Sequence, residues 1–390
     1  MSEINSSLSC EELGRRLRIA RTENQLTQAE ASKRVGIART TLVAIEKGER
    51  QVSTNELLHL VDTYGLRVNT LLRRTAIHVD LVPRFRQYGR IENSGTNEAV
   101  ELLNAFVAAE VELEELLGIS KKDKLLDERA ILRGDVRAQA RKDAGEVRQS
   151  LGLGIRPIID LFQLLEVELG IRLYFYPLDG KISGLFAYDE SVGACILINS
   201  KHPHFRQVTT AAHEFAHIIS ARNRPDVCSS SHINNSREER YATAFSAEFL
   251  MPKAALEDRL NSVCAGSLNL TRRHIILLSH YFGVSREALV RQLEEHGLAH
   301  DGTWDWFAQR GGITNEQAES VLGKGQYLTR EARVKPILAS VRLGTLASQA
   351  FQRDLLSEGQ VAELLNITRV ESRRLRLESE ELGNEASELA

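Results

Sequence analysis

The chain has 390 residues, of which 42% are hydrophobic and 26% charged, with a formal net charge of −3. That length is a prior for two or three domains, and the composition is ordinary for a globular, soluble protein. No global field points to nucleic acid or membrane, so a nucleic-acid signal has to be local. The cysteines, Cys10, Cys195, Cys228 and Cys264, form no C-x-x-C pair. This argues against a disulfide framework or a cysteine zinc knuckle and suits a reducing cytosol. The opening "MSEINSSLSCEEL" lacks a basic segment followed by an apolar core. No apolar run approaches the roughly 18 residues needed to span a bilayer. The expectation is a cytoplasmic protein with no membrane partner.

Residues 11–74 read as short helices without proline. Thr27 and Glu30 form a capping box that starts a helix from Gln28 to Val35. Gly36 permits a turn, and a second helix runs from Ala38 to Lys47. Helix, glycine-containing turn and helix make the helix-turn-helix plan. Val35, Ile37, Leu42 and Ile45 pack the pair together. Arg39, Thr40 and Thr41 are left near the start of the second helix, where a recognition helix touches base edges. Arginine forks onto guanine, and threonine meets a thymine methyl. Gln28, Lys33, Arg34, Lys47 and Arg50 are available for phosphates. Ser53 and Glu56 form another capping box. Over 11–74 there are 12 Lys plus Arg against 8 Asp plus Glu, a local basic excess on an acidic chain. The excess supports DNA contact. The alternative is a small helical adaptor whose basic residues are simply solvated.

The pattern then changes. "AIHVDLVPRFRQYG" reads as extended or loop. "NEAVELLNAFVAAEVELEELLG" reads as a helix whose stripe of Val100, Leu103, Val107 and Leu113 or Leu117 suits a core or a dimer seam. "PIIDLFQLLEVELG" reads as a helix with Pro157 near its first turn and Gly170 as its stop. "IRLYFYPL", "GLFAYDE" and "GACILIN" read as strands, the last two as a possible hairpin. Helices follow from about residue 206.

Within "TTAAHEFAHIIS" (209–220), His213 and His217 stand four apart, about 40° around a helix, so both imidazoles can face one ion. Glu214 flanks that face, where a base for an activated water belongs. The alternative is two solvated histidines. A catalytic zinc needs a third protein ligand and an open position. The helix "REERYATAFSAEFLMP" (237–252) supplies Glu238 and Glu239 as candidates, with Ala242 small enough for close approach of the two helices. His204, His232 and Tyr241 are weighed as carbonyl-polarising groups, against packing or surface roles. "GACILIN" is a candidate edge for a substrate peptide.

Two further helix pairs occur in "SLNLTRRHIILLSHYFGVSREALVRQLEEHGL" (267–298) and "LLSEGQVAELLNITRVESRRL" (355–375). They are expected to cover the core and build an extension rather than to bind DNA. "TWDWFAQRGGIT" reads as a loop anchored by Trp304 and Trp306. The tail "ESEELGNEASELA" has five glutamates and no basic residue, and its last part is expected to be disordered.

Through "LTQAEASKRVGIARTTLVAIEKGER", the first region closely resembles the Xre/Cro-type repressor DNA-binding domain. The resemblance implies a five-helix domain, operator DNA as partner and a homodimer on a two-fold site. Residues 136–300 resemble the ImmA/IrrE family of zinc metallopeptidases, through "LINSKHPHFRQVTTAAHEFAHII" and "EERYATAFSAEFLMP". Ser246 and Phe249 depart from that family's pattern, both at packing positions. This second resemblance implies an α+β, gluzincin-like domain with a small sheet. Its zinc ligands would be His213, His217 and Glu239, with Glu214 as general base.

The expected fold is multidomain and mainly α with one α+β domain. Its parts are a helix-turn-helix domain at 1–75, a helical linker or dimerisation segment at 76–135, the peptidase-like domain at 136–300, and a helical region with an acidic tail at 301–390. The expected function is a DNA-binding transcriptional regulator whose zinc-dependent endopeptidase domain cleaves a regulatory protein such as a repressor. The alternative is a regulator or antitoxin-like module whose zinc fold senses a ligand or grips a partner without proteolysis.

Overall fold

The computed structural model describes residues 10–24, 26–65, 81–87, 94–119, 124–229, 236–264, 270–323 and 340–377. Two compact units divide the chain, Met1–His78 and Val79–Ala390. No described helix is long and apolar enough to cross a membrane.

The first unit contains α1 (Cys10–Glu23), α2 (Gln28–Val35), α3 (Arg39–Glu46) and α4 (Thr54–Thr63). The fifth helix implied by the resemblance falls outside the described residues. Both expected capping boxes form, Thr27 with Glu30 and Ser53 with Glu56. Gly36 ends α2 at φ 79°, a left-handed conformation that glycine adopts without penalty. Leu17, Ala31, Val35, Leu42, Ile45 and Leu60 close a small core, with Ile37 packed at its margin. A buried ion pair adds a polar tie between α1 and α3. Arg21 Nε stands 2.6 Å from Glu46 Oε1, and Arg21 Nη1 donates to the Leu26 carbonyl at 2.7 Å.

The second unit is built on four strands, β1 (Arg172–Tyr176), β2 (Ile182–Asp189), β3 (Gly193–Asn199) and β4 (Asp226–Ser229), in the order β1-β3-β2-β4. β1 runs parallel to β3, and β2 pairs antiparallel with both β3 and β4. β2 and β3 form the expected hairpin. "GACILIN" is β3, an interior strand paired on both sides, so it offers no edge to a peptide; among the described residues the sheet's edges are β1 and β4.

Alternation along the strands produces two apolar faces. Leu173, Phe186, Ala194, Ile196 and Ile198 face one layer, formed chiefly by α7 (Val136–Ser150), α9 (His204–Ala221), α10 (Arg237–Leu250), α12 (Arg272–Phe282) and α13 (Arg286–Glu295). Tyr174, Leu185, Ala187, Cys195 and Leu197 face another, formed by α5 (Val82–Gln87), α6 (Ser94–Leu117), α16 (Val341–Gln352) and α17 (Glu358–Leu364). The stripe Val100, Leu103, Val107, Leu113 and Leu117 of α6 is therefore buried against the sheet within the chain.

Other elements complete these layers. "PIIDLFQLLEVELG" begins its helix at Leu161, where Asp160 caps α8 (Leu161–Gln163), and continues as a π-helical turn, Leu164–Glu168; Gly170 ends it at φ 67°. Pro157 lies ahead of that start. "LVPRFRQ", expected extended or looped, contains α5, with Pro83 in the first turn where its missing N–H costs nothing. "TWDWFAQ" forms α14 (Thr303–Gln309) rather than a loop. The remaining helices are α11 (Lys253–Cys264) and α15 (Asn315–Leu322). The acidic tail at 378–390 lies outside the described residues.

The second layer is tied by a buried charge cluster. Arg172 of β1 donates to Glu110 at 2.5 Å and to Glu114 at 2.7 Å, and Arg342 of α16 reaches the same two carboxylates at 3.0 and 2.6 Å. Tyr174 Oη donates to Glu110 at 2.7 Å. Against the cost of its burial, these arginines hold the Glu114 carboxyl below the usual range. Its contribution to stability is therefore full above the ordinary carboxylate pKa and lost as pH falls below it.

Removing a buried partner from such a cluster strands the others. Arg172→Met should destabilise the chain by about 3–5 kcal/mol in denaturant melts. Arg342→Met, whose side chain is 30% exposed, should cost less. Equal losses would show that the cluster does not depend on the enclosed arginine.

Candidate metal centre and helix-turn-helix

α9 starts after Pro203 and lies across the sheet with Ala211, Ala212, Phe215, Ala216, Ile218 and Ile219 buried. Its closest approach is at β2. A Cβ added at Gly184 would stand 2.7 Å from Thr210 Cγ2 and 3.0 Å from the Leu197 carbonyl oxygen. Only glycine lets the helix sit this close. α10 then crosses α9 through an aromatic seam. Phe215 packs on Phe245 and Phe249 with ring centroids 6.0 and 5.4 Å apart. The two positions that depart from the family block, Ser246 and Phe249, are both buried packing residues.

α10 is also fixed from α7. Tyr241 Oη donates to Asp143 at 2.8 Å. The buried Arg148 guanidinium donates to the Phe249, Gly154 and Arg156 carbonyls. Burial pulls the pKa of Arg148 down to about 10, far enough above neutrality that it stays charged. Tyr241 thus serves as a core tie. His204 packs edge-on against Phe162, with ring centroids 5.5 Å apart. His232 lies outside the described residues.

This crossing brings three donor atoms together. His213 Nε2 stands 3.1 Å from His217 Nε2, and each is 3.2 Å from one oxygen of Glu239. Among the described residues, these three side chains form the cluster able to hold a metal ion. Glu238, the neighbouring candidate, faces outward and pairs with Arg224 at 3.2 Å. The Phe186 ring stacks on His217 at 5.4 Å and 4° and fixes its plane.

The donor set fits zinc. Ligand atoms about 2.0–2.1 Å from a tetrahedral zinc stand about 3.3–3.4 Å apart, close to the spacings found here. Two imidazole nitrogens and a carboxylate leave one position for water or substrate, as a hydrolytic site requires. Three lone-pair-bearing groups facing one point also repel unless a cation or protons lie between them.

Glu214 is fully buried beside this cluster, and neither carboxylate oxygen has a hydrogen-bond partner among the described residues. Burial, with Asp226 and Glu239 nearby, holds its carboxyl well above the usual range. Glu239 goes the other way. Against the cost of its burial, hydrogen bonds from His213 and His217 hold it well below that range. A bound cation would draw Glu214 back toward the ionised form. Asp226, Phe186 and Gly184 escaped sequence reasoning. They come from β2 and β4, and no spacing along the chain connects them to the histidines.

In the first unit, Arg39 and Thr40 are exposed in the first turn of α3, and Thr41 is half-buried. Lys33 and Arg34 are exposed at the end of α2, and Lys47, exposed, caps α3. Gln28 is half-buried and donates to Glu46 Oε2 at 2.8 Å, so its amide is partly engaged within the fold.

Residues 167–294 match the family model of the IrrE N-terminal-like domain, and residues 12–73 match that of a helix-turn-helix domain. No curated protein matches the chain. Among solved structures, it is similar to ComR from Streptococcus suis at 10% identity, with 97% of this chain and 96% of that chain covered and a TM-score of 0.16. A likeness that slight says nothing of function. The matched models agree with the local geometry at both places: the chain carries an N-terminal helix-turn-helix domain and, further on, an IrrE N-terminal-like domain of the M78 peptidase family.

Proposed function

We propose that this protein is a DNA-binding transcriptional regulator that cleaves a regulatory protein, such as a repressor, at a zinc site held by His213, His217 and Glu239. The observation that carries this reading is the pairing of a three-atom ligand cluster with a buried, partnerless carboxylate on the same helical turn. When bound, zinc would supply Lewis acidity toward a peptide carbonyl and lower the pKa of a water.

The chain's own residues do the rest. His213 and His217 are held by the sheet and by Phe186, and Glu239 by the Ser236-capped start of α10. Glu214 takes the proton as water attacks the carbonyl carbon, then delivers it to the departing amine nitrogen as the C–N bond breaks. Its burial keeps bulk water from competing for that proton. β4 is the sheet edge that begins at Asp226, one of the charges felt by Glu214. It is the strand on which an extended substrate would pair by main-chain hydrogen bonds. The α2–α3 pair reads operator DNA, with Arg39, Thr40 and Thr41 toward bases and Lys33, Arg34, Lys47 and Gln28 toward phosphates, as a homodimer on a two-fold site.

Glu239→Ala should lower zinc stoichiometry in metal analysis of purified protein, whereas Glu238→Ala should leave it near one per chain; the reverse result would move the third ligand. Glu214→Gln should retain zinc while reducing cleavage by at least about a hundredfold, the usual span for a general base. The substrate is found by comparing protein fragments in cells carrying wild type or Glu214→Gln; identical fragment sets would favour a partner-gripping role without proteolysis. On DNA, Arg39→Ala should cost about 1–3 kcal/mol at the preferred site and relax its sequence preference. Arg34→Ala should weaken binding to all sequences and lower the salt slope by about one. Unchanged binding by both variants would remove α3 from the groove.

A further inference from the structure

The carboxy-terminal helix pair repeats the DNA-reading pair position by position. Thr27 and Ser357, 330 residues apart, are both N-caps with a capping box, closed by Glu30 and Gln360. Gly36 and Asn366 both make the turn in the left-handed region, at φ 79° and 52°. Ile37 N donates to the Ser32 carbonyl at 3.0 Å, and Ile367 N donates to the Ala362 carbonyl at 3.0 Å. Leu42 and Ile45 are buried beneath α3, and their counterparts Ser372 and Leu375 are buried beneath the helical segment 369–377. Arg39 corresponds to Arg369, and Thr40 to Val370.

A third pair, α12 and α13, has the same turn, with Gly283 at φ 70° and Ser285 as N-cap. The chain itself uses that face. Arg286 donates to the Ile313 carbonyl at 2.7 Å and to Asn315, and α14 and α15 pack alongside. This pair is cover; the carboxy-terminal pair, for which the sequence leads one to expect cover too, also packs on the core through Val361, Leu365 and Leu375.

The carboxy-terminal pair differs in what its second helix presents. Residues 369–377 carry four arginines and one glutamate. Arg369, Arg373, Arg374 and Arg376 are all exposed. The glutamate, Glu371, is turned back onto Thr368 at the helix start. Val370 is 79% exposed in the first turn, where an apolar side chain can meet a thymine methyl. Arg373 and Arg376 touch Glu358 at 3.3 and 3.6 Å, but exposed pairs of this kind hold little and exchange readily for phosphate.

We propose that the segment 369–377 is a second contact for duplex DNA, with Arg369 and Val370 toward the groove and Arg373 and Arg374 toward phosphates. The proposal rests on reading α2–α3 as the DNA-reading pair and not on the metal site. Its charge and exposure favour DNA over an acidic protein because they sit on the frame that places a recognition helix.

The test uses the full chain and a labelled random-sequence duplex of about thirty base pairs, with anisotropy followed from about 50 to 200 mM salt. Arg369→Glu combined with Arg374→Glu should weaken binding roughly tenfold and lower the salt slope by about two. Lys142→Glu with Lys253→Glu, the same charge change on α7 and α11, should leave the slope as in wild type. A photocrosslinking amino acid at position 370 should form an adduct with the duplex, also in an Arg39→Ala background. Equal slopes for the two double variants would overturn the second contact. So would an adduct from position 40 but none from position 370, and that result would leave the reading of α2–α3 intact. No adduct from either position would overturn both.

Discussion

Two imidazole nitrogens and a carboxylate face one another across little more than 3 Å, and the surrounding layer is arranged to keep them there. Side chains do not hold such positions unaided. His213 and His217 depend on α9 lying directly on β2, which the bare backbone of Gly184 permits. Glu239 depends on the angle at which α10 crosses α9, which the rings of Phe215, Phe245 and Phe249 set. Arg148 and the Tyr241–Asp143 pair then fix α10 from the far side. Each is an interaction of packing or hydrogen bonding with no chemistry of its own, yet together they decide whether three donor atoms converge.

The electrostatics divide two neighbouring carboxylates into different roles. Glu239, half-buried but 3.2 Å from both imidazole nitrogens, is held below the usual carboxylate range. Glu214, one residue after His213, is enclosed with no hydrogen-bond partner among the described residues and resists ionisation. Pairs of acids pushed apart by their surroundings are what the proposed proton transfer calls for. The difference arises from burial and from what each carboxylate faces. Glu239 points into the gap between the helices, and Glu214 points toward the sheet.

Local signals were legible in the sequence and long-range ones were not. The four-residue spacing of His213 and His217, the capping boxes at Thr27 and Ser53, the turn at Gly36 and the hairpin of β2 and β3 all depend on neighbours along the chain. The residues alone leave Glu238 and Glu239 as candidates and the resemblance implies Glu239; the crossing of α9 and α10 sets Glu239, not Glu238, against the histidines. By contrast, "GACILIN" does not itself reveal that both its edges are used, because one partner precedes it and the other belongs to the hairpin. β4 is only four residues long and carries too little periodicity to be recognised. The apolar stripe of α6 was visible, but a stripe does not name the surface that covers it.

The cluster of Glu110, Glu114, Arg172 and Arg342 has a bearing on how this chain is made. Glu110 and Arg342 are 232 positions apart, so the second layer of the sheet is incomplete until α16 and α17 leave the ribosome. The layer that carries the His213, His217 and Glu239 cluster draws on residues up to Leu322 and is available sooner. During that interval Tyr174, Leu185 and Leu197 lack part of their cover, and Glu110 and Glu114 lack one of their two counter-charges. Synthesis therefore passes through a stage in which one face of the sheet is finished and the other is waiting, and a chain cut short before α16 would remain there, a ready target for chaperones and for the cell's own proteases.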